Sequence, residues 1–61
     1  MKGPWKVTSN LIGNEVLYRV YRLLDTEEVD HSGNREYYGP YTQDRYKATT
    51  LANELNQIDH K

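Results

Sequence analysis

No cysteine occurs in these 61 residues, which removes disulfides and thiolate zinc sites at once. A chain of this length forms one domain and buries only about 60% of the surface its unfolded form exposes. Small domains are usually helped by disulfides, a structural metal or a partner subunit, and here oligomerisation is the support that remains. A cysteine-free composition fits a cytoplasmic protein. No apolar run approaches the roughly 18 residues a membrane span needs, and Met1-Lys2-Gly3-Pro4-Trp5 opens no signal-peptide core. The expectation is a soluble, cytoplasmic protein with no membrane partner. Phenylalanine is absent too, against six tyrosines and one tryptophan. Every ring therefore keeps a polar atom, as suits a thin core with half-wet aromatics.

A basic excess is also missing. The net charge is -1, and dedicated nucleic-acid binders usually carry a clear surplus of Lys and Arg. The charges are segregated, however. Lys2, Lys6, Arg19 and Arg22 outnumber Glu15 in the first 24 positions, whereas Asp25, Glu27, Glu28, Asp30 and Glu36 outnumber Arg35 in the next twelve. A mildly basic sheet thus carries an acidic loop, which could cover the basic face as a mimic of phosphate.

Catalytic signatures are lacking. There is no GxSxG, phosphate-binding glycine loop or HExxH. His31 and Ser32 are sequence neighbours, but a nucleophile and its base need a hydrogen bond across space and a third, orienting group. The acidic run with His31 does not have the spacing of an EF-hand loop and reads as a solvated charge run. The expectation is a non-enzymatic protein with no cofactor and no metal.

What is present is a β-β-β-α pattern. Trp5, Val7 and Leu11 alternate with Lys6, Thr8 and Asn10, predicting a strand over 5–12. Gly13-Asn14 suits a type II′ hairpin turn, with Gly at the first central position. Residues 16–24 form the strongest strand, free of Gly and Pro and partly apolar on both faces, as a central strand is. Its even set, Val16, Tyr18, Val20, Arg22 and Leu24, is assigned to the core because it holds both valines. A ten-residue connection follows from Asp25 to Asn34, long for a hairpin in a domain this small and hence functional or mobile. The third strand covers 35–38. Pro40 cannot donate to a ladder, so the strand ends there or lies at an edge. Thr42 is the expected N-cap of a helix over 43–58, whose stripe is Ala48, Leu51, Ala52, Leu55 and Ile58. The fold class is α+β, a three-stranded antiparallel meander with one face under a C-terminal helix.

Gly39-Pro40-Tyr41-Thr42, followed by Ala48 and Ala52 nine and thirteen positions past the glycine, resembles AP2-type domains and the arm-type DNA-binding domains of tyrosine recombinases. The resemblance implies this sheet-and-helix layout with the uncovered face docked in the DNA major groove. Over its whole length, through Trp5-Lys6-Val7-Thr8, Tyr18-Arg19-Val20-Tyr21-Arg22-Leu23 and Asp30-His31-Ser32-Gly33-Asn34-Arg35-Glu36-Tyr37, the chain is similar to short uncharacterised bacterial proteins, some on mobile elements. That likeness brings no function with it. The families' reading faces carry several Arg, Lys and Trp. Here the open face offers Lys6, Thr8, Asn10, Leu17, Arg19, Tyr21, Leu23, Arg35 and Tyr37. A Tyr-Arg surface with leucines has the composition of protein interfaces, so the first expectation is a binding or assembly module for a protein partner or a second copy. Lys6, Leu17, Arg19, Tyr21, Leu23, Arg35 and Tyr37 are its candidate contacts. The alternative is nucleic acid, with Lys6, Arg19 and Arg35 on phosphates and Tyr21 and Tyr37 on bases or sugar.

Overall fold

Gly13 has φ of +64° while Asn14 has a negative φ, and Ile12 pairs directly with Glu15. This two-residue connection joins β1 (Lys6–Ile12) to β2 (Glu15–Leu23), with positive φ only at the first central position, as a type II′ turn has. The structure is a computed structural model and describes residues 1–59. The three strands form one antiparallel sheet in the order β1-β2-β3, and α1 (Arg45–Asp59) covers one face.

β3 runs from Arg35 to Thr42, four residues beyond the span expected from sequence. Pro40 does not end it because it falls between Tyr38 and Thr42, where the ladder to β2 is interrupted and no inward N–H is required. The irregularity falls between Tyr18 and Val20 on β2, which pair with Thr42 and Tyr38. Gly39, at φ +79°, supplies the left-handed conformation this bulge needs.

Thr42 is not the helix cap. Its hydroxyl accepts from the Asp44 N–H at 3.1 Å, turning the chain out of the strand. The Asp44 carboxylate then accepts from the Lys47 N–H at 3.2 Å, and its carbonyl accepts the first helical bond from Ala48. Asp44 therefore does the capping, and it places its charge where the helix dipole favours an anion.

The even-numbered face of β2 is the helix side, but not all of the residues expected in the core there reach it. Tyr18 and Val20 pack in it, and Arg22 lies over Trp5. Val16 and Leu24, beyond the reach of the short helix-sheet layer, stay exposed. The core consists of Trp5, Val20, Ala48 and Ala52, with Val7, Tyr18, Leu51 and Leu55 packed against it. Two alanines let the helix backbone approach the sheet closely enough that Val20 is 2% exposed. Trp5 closes the other end of this layer. Its ring meets Tyr38 edge to face at 5.8 Å and carries the Arg22 guanidinium 4.3 Å above it. Glu36 anchors that guanidinium, accepting from Arg22 Nε at 2.8 Å. Ile58, expected in the apolar stripe, is exposed.

The last turns of the helix hold the sheet through Asn56 instead. Its Oδ1 accepts from the Trp5 N–H at 2.7 Å, and its Nδ2 donates to the Trp5 carbonyl at 3.0 Å. Asn56→Ala removes both of these bonds at a half-buried site. It should cost about 1–3 kcal/mol, read as a lower denaturant midpoint with an unchanged m-value.

The long connection is organised around the side chain of Asn34, which is 3% exposed. Its Nδ2 donates to the carbonyls of Asp25 (2.9 Å) and Val29 (3.1 Å), and its Oδ1 accepts from the Asp25 N–H at 2.9 Å. Its carbonyl accepts from Leu24, and its own N–H donates to the His31 carbonyl. His31 Nδ1 accepts from the Gly33 N–H, setting the short 3-10 turn Ser32–Asn34. The opening residues dock alongside. The Gly3 N–H donates to the Leu23 carbonyl, and the Thr26 N–H donates to that of Met1. No helix among the described residues is long and apolar enough to cross a membrane.

Candidate binding face

Side chains alternate across a strand, so the residues that do not meet the helix project from the opposite face. Register brings Lys6 beside Tyr21, Thr8 beside Arg19 and Asn10 beside Leu17 across β1 and β2. Tyr21 lies beside Tyr37 and Leu23 beside Arg35 across β2 and β3. All seven candidate contact residues therefore share one face. They are not equally available on it.

Tyr21 is 8% exposed although no element covers it. The Arg35 guanidinium lies 4.2 Å above its ring and takes its place at the surface. Leu17 and Leu23 are half-buried, while Lys6 and Tyr37 are exposed. The leucine contribution to the surface is thus smaller than the sequence implies.

At the centre is Arg19. Its Nε donates to the Gly39 carbonyl at 2.9 Å, and its guanidinium lies 4.7 Å from the Tyr37 ring and 5.1 Å from the Tyr41 ring. Asn10 Nδ2 donates to the Tyr41 hydroxyl at 3.3 Å. Cation–π contact on two rings plus a backbone anchor holds the guanidinium in one place. Tyr41 is missing from the residues singled out by sequence. Counting in twos from Tyr37 reaches it, but only once Pro40 is accepted within an edge strand.

The acidic loop does reach this face. Asp30 accepts two hydrogen bonds from Arg35, from Nε at 2.6 Å and from Nη2 at 3.1 Å, while Arg35 Nη1 lies 3.5 Å from the Thr8 hydroxyl. Hydrogen bonding from Arg35 holds the Asp30 carboxyl below its ordinary range, and the charges of Arg35 and Lys6 act in the same direction. The same contact raises Arg35 above its already high value. On the helix side, hydrogen bonding from Arg22 similarly lowers Glu36, with the charges of Arg22 and Lys2 adding to it.

Both carboxylates have folded values below their unfolded ones, so the unfolded chain binds more protons as the medium is acidified. Their stabilisation is complete above the ordinary carboxylate values near about 4 and is lost as pH falls through the depressed ones. Side-chain NMR titrations should place Asp30 and Glu36 below their own values in the unfolded chain. The denaturant midpoint should fall on acidification less steeply in Asp30→Asn/Glu36→Gln than in the wild type.

Among the described residues, no group of three His, Cys, Asp or Glu side chains converges as metal ligands would. Two open hollows flank the helix N-terminus. One of about 350 Å³ lies over β1 and β2, lined by Val7, Ser9, Val16, Tyr18, Arg45 and Thr49. One of about 260 Å³ lies toward β3, where Val20, Pro40, Tyr41 and Leu51 contribute. Compared with protein-family models, curated proteins and solved structures, the chain matches none of them.

Proposed function

We propose that this is a non-enzymatic binding module whose uncovered sheet face receives a protein partner. The observation that carries this reading is Arg19 held between Tyr37 and Tyr41 with its Nε on the Gly39 carbonyl. Tyr and Arg dominate interface hot spots, and a guanidinium already fixed between two rings loses little freedom when a partner arrives. A photo-crosslinker at position 37 or 41 in bacterial cells should trap a protein partner. One at position 46, an exposed helix tyrosine, should not, and Arg19→Glu should abolish the trapping. Equal yields from all three positions, or none from 37 and 41, would overturn the proposal.

The second reading is nucleic acid. It is favoured by Lys6, Arg19 and Arg35 lying on one face interleaved with tyrosines, in a layout that resembles the arm-type domains. It requires duplex affinity that falls steeply with salt, is lost in Arg19→Glu and rises in Asp30→Asn as Arg35 is released. Salt-independent binding, or none at low salt, excludes it.

A further inference from the structure

The two edges of the sheet differ. In an antiparallel pair, residues that exchange both backbone bonds alternate with residues whose N–H and C=O point away from the partner strand. Ile12 and Glu15 flank a two-residue hairpin and are a bonded pair, so Asn10, Thr8 and Lys6 also bond inward to β2. Trp5, Val7, Ser9 and Leu11 then direct their backbone groups outward. Asn56 bears this out, because it takes both the N–H and the C=O of Trp5. The outward groups of Val7, Ser9 and Leu11 have no such cover among the described residues.

The segment from Val7 to Leu11 carries no proline, no charge and no bulge, the usual devices that blunt an edge. β3 has them, in Gly39, Pro40 and the irregularity opposite Arg19. Leu11 is 73% exposed on the helix side of β1, beside the hollow lined by Val7, Ser9, Val16 and Tyr18.

We propose that β1 pairs with β1 of a second copy, antiparallel about a two-fold axis at Ser9, to give one continuous six-stranded sheet. In this register Ser9 faces Ser9 of the partner subunit, and Val7 faces Leu11 of the partner subunit, each exchanging both backbone bonds. The Asn56 clasp marks where the free edge stops, so the register is self-complementary over the uncovered length. Each Leu11 leaves water to lie against Val7 and the rim of the hollow. Such an isologous pairing closes on itself and leaves no open β1 edge. It supplies the subunit support a cysteine-free chain of this size lacks, and it uses a surface distinct from the Tyr-Arg face.

Sedimentation equilibrium over a dilution series, with amide exchange followed by NMR at both ends of the series, tests this. The wild type should pass from twice the chain mass to the chain mass. The Val7, Ser9 and Leu11 amides should be protected only at the concentrated end, while Thr8 and Asn10 stay protected throughout. Ser9→Pro removes an N–H the monomer does not use, so it should stay folded and sediment as a monomer at every concentration. Leu11→Lys, a change at an exposed side chain, should shift dissociation to higher concentration and serves if the proline variant does not fold. A monomer across the whole series overturns the proposal. So does a dimer that survives Ser9→Pro, or protection of the three amides that ignores concentration.

Discussion

Trp5→Ala should leave the protein with little or no stability at room temperature. Truncating a buried tryptophan costs about 3–5 kcal/mol, and a chain of this length has a total stability of roughly 3–9 kcal/mol. Trp5 also ties the helix to both edges of the sheet. It packs with Val20, Ala48 and Ala52, meets Tyr38 on β3 and supports Arg22, which holds Glu36. Its backbone clasp with Asn56 does not depend on the side chain and is kept in this variant. Trp5→Phe keeps the ring contacts with less area and should remain folded with a lowered melting temperature. Far-UV circular dichroism distinguishes the two. A cooperative, wild-type-like melt in Trp5→Ala would mean that the core does not hinge on this residue.

Asn34→Ala should come next in severity. It strands the carbonyls of Asp25 and Val29 and the N–H of Asp25, and a buried polar group left without a partner costs about 1–3 kcal/mol. The damage is local in origin, so its signature differs from that of Trp5→Ala. The segment 25–33 should become a site of rapid proteolytic cleavage while the hairpin and helix remain. Asn34→Asp is no rescue, because it supplies acceptors where two carbonyls need a donor and places a charge in a buried position. Resistance of Asn34→Ala to cleavage would show that the loop is held by Arg35–Asp30 and the opening residues instead.

The elements that sequence conveys best are those set by periodicity. The even face of β2 goes to the core because Val20 and Tyr18 share it. The hairpin forms where Gly13 takes positive φ at the first central position, and Ala48 and Ala52 mark the helix face by being small. What stays illegible depends on contacts between distant positions. Asn34 looks like an ordinary turn residue, and nothing local distinguishes it from Asn14 or Asn53. Asn56 sits on the helix like any polar surface residue, yet its partner is a backbone 51 positions away. Thr42 and Asp44 are both good caps, and only the continuation of β3 through Pro40 decides between them. On the open face, the membership of the seven candidate residues follows from alternation. That Tyr21 lies beneath Arg35, and that Tyr41 joins the cluster, follows from side-chain stacking that alternation does not encode.

The Asn56–Trp5 clasp has a kinetic meaning as well. It joins groups 51 positions apart, whereas the β1–β2 hairpin closes over two residues and α1 forms from neighbours. Closing the longest loop carries the largest entropy cost, so the clasp is expected to be made after the barrier, once the sheet has its cover. A contact formed that late affects the rate of escape from the native state and leaves the rate of assembly nearly unchanged. Asn56 would then govern the lifetime of each folded molecule, while the hairpin and the helix face govern how soon it appears.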